Sequence, residues 1–69
     1  MNFVEFEING IIKAGEITGE TYDGGDYMEN VQEFWFVKAF DGETYTPSKK
    51  NVTEIDYQEM RDLAELAGY

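Results

Sequence analysis

The sequence predicts an α+β domain: a strongly curved antiparallel sheet, or small barrel, of four to five strands with one helix at its C-terminal end. Three observations carry this expectation. An alternating run from Phe3 to Ile8 enters Asn9-Gly10, residues 31–40 are rich in aromatics on both strand faces, and one helical stripe follows Asp56. With 69 residues the chain has room for a single domain over 1–69, because a chain this short hides only roughly 60% of its extended surface.

The first strand sets Val4, Phe6 and Ile8 on one side and Phe3, Glu5 and Glu7 on the other, the alternation of a strand with one solvated face. Asn9-Gly10 suits the positive φ values of a type I′ turn. The return strand opens at Ile11 and runs to Ile17 or on to Tyr22, with Gly15 and Gly19 marking bends, bulges or close crossings. Residues 23–30, DGGDYMEN, read as a surface loop open to a partner. In the central strand, 31–40, Phe34, Phe36 and Phe40 share one face and Trp35, Val37 and Ala39 the other, so both faces want cover. Asp41-Gly42 is a second candidate type I′ turn, leading to a short strand over 43–46 that stops at Pro47. A turn over 47–51 carries Lys49 and Lys50, and 52–55 supplies one more edge strand.

Asp56 and Glu59 have the spacing of a helix N-cap and its reciprocal partner. A helix of about ten residues should start at Tyr57, with Met60, Leu63, Ala64 and Ala67 as its apolar stripe, Leu66 at the border and Gly68 at C′. The glycines and the two-faced aromatic strand favour strong curvature, with the helix plugging an open end. The segment 34–47, FWFVKAFDGETYTP, running into 51–55, NVTEI, resembles the closing hairpin and last strand of SH3-like barrels such as the Tudor and KOW groups. That resemblance implies a small barrel that binds peptides or nucleic acids.

Fifteen acidic residues against five basic ones give a net charge of −10, with no cysteine and no histidine. Disulfides, thiol nucleophiles, imidazole bases and ordinary zinc chemistry are therefore excluded. Up to Val37 the chain carries eight acids against Lys13 alone. A chain of this charge is repelled by phosphate backbones and anionic membranes, and Lys38, Lys49, Lys50 and Arg61 are too few to reverse that. No direct nucleic-acid or membrane contact is expected. The N-terminal residues show no basic leader or long apolar run, which reads as cytoplasmic. At 42% hydrophobic and 16% aromatic, the composition is that of an ordered chain.

No catalytic constellation is expected. Glu5 and Glu7 share a strand face, but as solvated acids without a low-dielectric cleft. Asp23, Asp26 and Glu29 offer oxygen ligands of the kind calcium takes, yet their spacing misses the EF-hand pattern, so neither a dedicated metal nor a cofactor is expected. Asp23-Gly24-Gly25-Asp26 lacks the Gly-Lys-Ser/Thr of a phosphate loop.

What remains is interaction through charge and aromatics. Glu16, Glu20, Asp23, Asp26 and Glu29 would supply the charge, with Tyr22 and Tyr27 as anchors, since an aromatic among carboxylates desolvates a contact while the acids pair with lysine and arginine. The expected role is an acidic module that occupies, as an inhibitor, a positively charged surface of another protein, including one that normally holds DNA or RNA. In size and charge the chain resembles small acidic phage proteins that inhibit host machinery. The alternative is a small structural or adaptor subunit, associating with itself or a larger assembly through a sheet edge or the second face of residues 31–40.

Overall fold

The computed structural model describes residues 3–24 and 31–69. Strand β1 (Phe3–Ile8) alternates as its sequence demands, with Val4 and Phe6 buried and Glu7 exposed. Asn9 and Gly10 adopt φ +52° and +82°, and the hairpin turns back into β2 (Ile11–Asp23) with Ile8 opposite Ile11. β2 then pairs with β3 (Gln32–Ala39), β3 with β4 (Thr44–Tyr45), and β1 with β5 (Thr53–Ile55). The five strands form one antiparallel sheet in the order β4-β3-β2-β1-β5, followed by helix α1 (Tyr57–Leu66).

This sheet is open, which overturns both the strongly curved barrel and the likeness to SH3-like barrels. Its two edges are β4 and β5, which do not pair with each other. They hold only two and three residues, too few for a closing ladder. The glycines act otherwise than as corners. At Gly15 a Cβ would fall on the Lys38 carbonyl oxygen and lie 2.5 Å from the Ala39 Cα, so this glycine permits close approach of β2 and β3. Among the described strands the one shift of register in the β2–β3 ladder lies between Ile17 and Gly19, and a single bulge re-aims side chains without curling a five-stranded sheet into a barrel.

Both sheet faces are covered, by different means. Val4, Phe6 and Val37 make the core of one face, with Ile8, Ile17, Trp35, Tyr45 and Val52 packed around them. The link from β4 to β5 crosses this face through buried Pro47, whose carbonyl accepts the Trp35 N–H (3.0 Å), and a 3-10 turn over Lys49–Asn51. The opposite face carries α1. Tyr57 meets Phe3 edge-on (centroids 5.5 Å), Ala64 is fully buried as is Ala14, and Tyr69 lies against Phe40 (5.5 Å).

Helix α1 begins and ends where its caps place it. The Asp56 carboxylate accepts the Glu59 N–H at 2.8 Å, and Gly68 at φ +92° lets Tyr69 N–H reach the Ala64 carbonyl and Gly68 N–H the Glu65 carbonyl, a Schellman closure. Ala67 is the C-cap and exposed, so it falls outside the apolar stripe in which its spacing put it.

The second hairpin also differs from expectation. Asp41 does not take a positive φ; Gly42 does, at +86°, giving the three-residue loop Phe40-Asp41-Gly42 with Gly42 N–H donating to the Ala39 carbonyl and Ala39 N–H to the Glu43 carbonyl, both at 2.9 Å. The reason is the Asp41 side chain. Its carboxylate accepts the Glu43 N–H (2.9 Å), the Tyr45 hydroxyl (2.8 Å) and the Lys13 ammonium (3.0 Å). These donors, the Glu43 amide foremost, hold the Asp41 carboxyl down from 3.8 to about 2. The same contact raises Lys13 and Tyr45, each chiefly through its hydrogen bond to Asp41.

Two outcomes are expected. Gly15→Ala should lower stability by about 2 kcal/mol or more, as backbone clashes do at the upper part of the overpacking range; a urea midpoint equal to that of the parent chain would contradict the close crossing. Asp41 is lowered on folding, so its contribution is complete above its ordinary 3.8 and disappears as pH falls toward about 2. Asp41→Asn should therefore be the less stable chain at neutral pH, with the gap in urea midpoint closing across that acid window. A gap independent of pH would sink the assignment.

Candidate interaction surface

β2 is longer than its neighbours need. Thirteen residues at about 3.3 Å each match the 44 Å long axis of the molecule. Among the described residues β1 accompanies β2 as far as Phe3 opposite Glu16, whereas β3 pairs with it out to Asp23 opposite Gln32. Beyond Gly19, among the described residues, β2 is thus flanked by β3 alone, and 19–23 with 32–36 form a ribbon whose other side is met by the β4–β5 link where Ser48 bridges Phe34. The extension is dictated by the sequence: the β-branched and aromatic residues Ile17, Thr18, Thr21, Tyr22, Phe34, Trp35 and Phe36 favour strand.

The bulge decides which side chains meet on this ribbon. Glu16, Glu20 and Tyr22 have the even spacing that would place them on one face of a regular strand. Ile17 pairs with Val37 but Gly19 with Phe36, so one extra residue reverses the alternation. Glu16, opposite Lys38, lies on the helix face, whereas Glu20, opposite Trp35, and Tyr22, opposite Glu33, lie on the face crossed by the β4–β5 link. Asp23 returns to the helix face. Of the residues singled out from the sequence, Glu20 and Tyr22 are brought together, Asp23 adjoins them at the ribbon end, and Glu16 is separated from them. Asp26, Tyr27 and Glu29 lie outside the described residues.

On the face shared by Glu20 and Tyr22 a small charged cluster forms. Lys49 bonds Glu20 at 2.5 Å and lies 3.6 Å from Glu33, with its ammonium 4.1 Å from the Trp35 ring centroid. Its pKa is raised, first by the Glu20 hydrogen bond. The Glu20 and Glu33 side chains remain 61% and 62% exposed, so the bridge is a solvated one of small energetic value. Tyr22 is 73% exposed. With Glu20, Val31 and Glu33 it borders a shallow hollow of about 390 Å³. Trp35, which the sequence left between core and interface, is half-buried against the core with Lys49 over its ring.

Glu33 and Lys49 are the members that sequence reasoning missed. Glu33 could be found only through the register that sets it across from Tyr22, and Lys49 only through the path of the β4–β5 link. Glu16 stands elsewhere, at a cleft of about 310 Å³ between sheet and helix that also holds Lys38, Phe40, Tyr57, Met60 and Arg61. Among the described residues no group of three or more acids is arranged to hold a metal ion, and none of their helices is long and apolar enough to cross a membrane. What the arrangement offers is an exposed tyrosine between carboxylates.

Removing the lysine tests this geometry. Lys49→Ala should uncover the ring of Trp35, the one tryptophan in the chain, and raise its accessibility to acrylamide quenching without unfolding the sheet. Quenching identical to that of the parent chain would show that Lys49 does not cover the indole.

Comparison with known proteins finds no family model, no curated protein and no solved structure that matches the chain. The compositional likeness to small acidic phage inhibitors has no counterpart in sequence or fold, and the viral and nucleic-acid-mimic attributes drawn from it are withdrawn.

Proposed function

We propose that this protein is an acidic interaction module whose β2–β3 ribbon end occupies a positively charged surface of another protein. The observation that carries this reading is Tyr22, 73% exposed on a ribbon that projects beyond β1, with Glu20 and Glu33 on the same face and Asp23 next to it. A tyrosine brings large contact area at small entropic cost, and the carboxylates around it steer and pair with lysine and arginine. The net charge of −10 adds a long-range field of the same sign. Lys49 tempers the cluster without closing it, because both of its carboxylate partners stay largely solvated and an arginine can compete for them. Occupying such a surface would inhibit whatever else uses it.

A second reading, a self-associating or adaptor subunit, is favoured by Leu66, a large apolar side chain left 85% exposed at the end of α1. The two differ in salt dependence, since screening weakens charge pairing and leaves apolar burial intact. Capture from a nuclease-treated lysate of the source, using the parent chain and a Glu20→Lys, Tyr22→Ala, Asp23→Lys variant as parallel baits, separates them. A basic protein retained at about 0.1 M salt, released at about 0.5 M and lost from the variant supports the ribbon. A partner held equally by both baits, or one that persists at high salt, overturns it.

A further inference from the structure

From Gly19 to Asp23, β2 has β3 on one side and, among the described residues, no strand on the other. The direction of its backbone groups follows from the ladder. Trp35 and Ala39 donate their N–H groups away from β2, to the Pro47 and Glu43 carbonyls, so the intervening Phe36 and, by the same alternation, Phe34 turn theirs toward it. Their partners Gly19 and Thr21 therefore use their own groups on β3. Glu20 and Tyr22, between and beyond them, present N–H and C=O to the open edge. An uncovered edge of this kind is a template for another strand.

The side chains along the edge state what that strand must carry. On one face, residues beside Glu20 and Tyr22 would stand within cross-strand distance of a carboxylate and an exposed ring, with Glu33 behind them. Lysine or arginine satisfies both neighbours, by ion pair and by cation–π contact. On the other face Gly19 leaves Phe36, 36% exposed, uncovered from the side, and an apolar side chain opposite the glycine can cover it. A second copy of this chain is the wrong occupant, since residues 19–23 carry Glu20 and Asp23 and no lysine or arginine, so pairing this edge with itself would bring acids together without supplying a cation.

We infer that the partner's contact includes an extended segment, alternating basic and apolar residues, that adds as a strand to the edge of β2 between Gly19 and Asp23. This inference rests on the proposed function and specifies the partner chemistry of the same ribbon. The bonds to Glu20 and Tyr22 supply sequence-independent affinity, and the alternation of side chains supplies register.

The probe is a synthetic octapeptide alternating lysine and valine, titrated into the full 69-residue chain at low salt and followed by amide NMR shifts and hydrogen exchange. The Glu20 and Tyr22 amides should shift and become protected. A chain assembled by chemical ligation with an N-methyl group on the Tyr22 amide keeps every side chain and the β3 ladder, and should bind the peptide at least about tenfold more weakly, as expected when an edge bond is removed and the approach blocked. If that chain does not fold, N-methylation at Glu20 makes the same test. Equal binding by the methylated chain overturns strand addition while leaving the charge reading intact. Absence of any shift at the edge amides overturns strand addition as well, and the lysate capture then decides the charge reading by itself.

Discussion

Every other element takes its place from β2. Through Glu16 it hydrogen-bonds to strands on both sides, and from Gly19 onward, among the described residues, to β3 alone. The first half has the constraints of a sheet interior: Ala14 and Gly15 are small because the helix lies on one and the β3 backbone crowds the other. The second half has the freedom of an edge. A hydrophobic core at one end and an acidic ribbon at the other are two consequences of a single strand outrunning its neighbour.

The core is made from two thin layers. A 69-residue chain cannot build a thick interior, so one face is covered by an irregular link carrying Pro47 and Val52 and the other by a ten-residue helix. Polar groups near these layers are paired: no buried side-chain nitrogen or oxygen lacks a partner among the described residues. Lys13, Asp41 and Tyr45 knit the first hairpin to the second. Two of the five basic residues thereby serve ion pairs within the chain, each cancelling one acid, so the net charge of −10 rests on the groups outside those pairs.

Much of this was legible in the sequence, because the informative signals are local. Alternation from Phe3 to Ile8, the positive φ of Asn9 and Gly10, the Asp56 cap and the Gly68 terminus depend on neighbours a few residues away. The errors concern relations between distant segments. Whether two edge strands meet depends on their lengths and separation in space, which made the barrel expectation fail. Asp41-Gly42 looked like a type I′ turn until the partners of Asp41, Lys13 and Tyr45 were in place. Parity failed most instructively: Glu16 and Glu20 have the same spacing as residues on one face, and one extra residue after Ile17 puts them on opposite faces. Lys49 joined Glu20, Glu33 and Trp35 for a similar reason, since no spacing rule announces where an irregular link will cross.

The β1–β5 ladder has a bearing on the order of assembly. Asn9-Gly10 and Phe40-Asp41-Gly42 join their strands through loops of two and three residues, whereas Phe3 pairs with Ile55 across most of the chain. Short loops close at small entropic cost and long ones only after other contacts have drawn the ends together. β5, three residues long and tied to β1 alone, is thus the last strand to dock on the way to the native state and the first to fray from it. Asp56 alone separates Ile55 from Tyr57, so loss of this ladder would loosen α1 from the sheet together with β5 as one local opening unit.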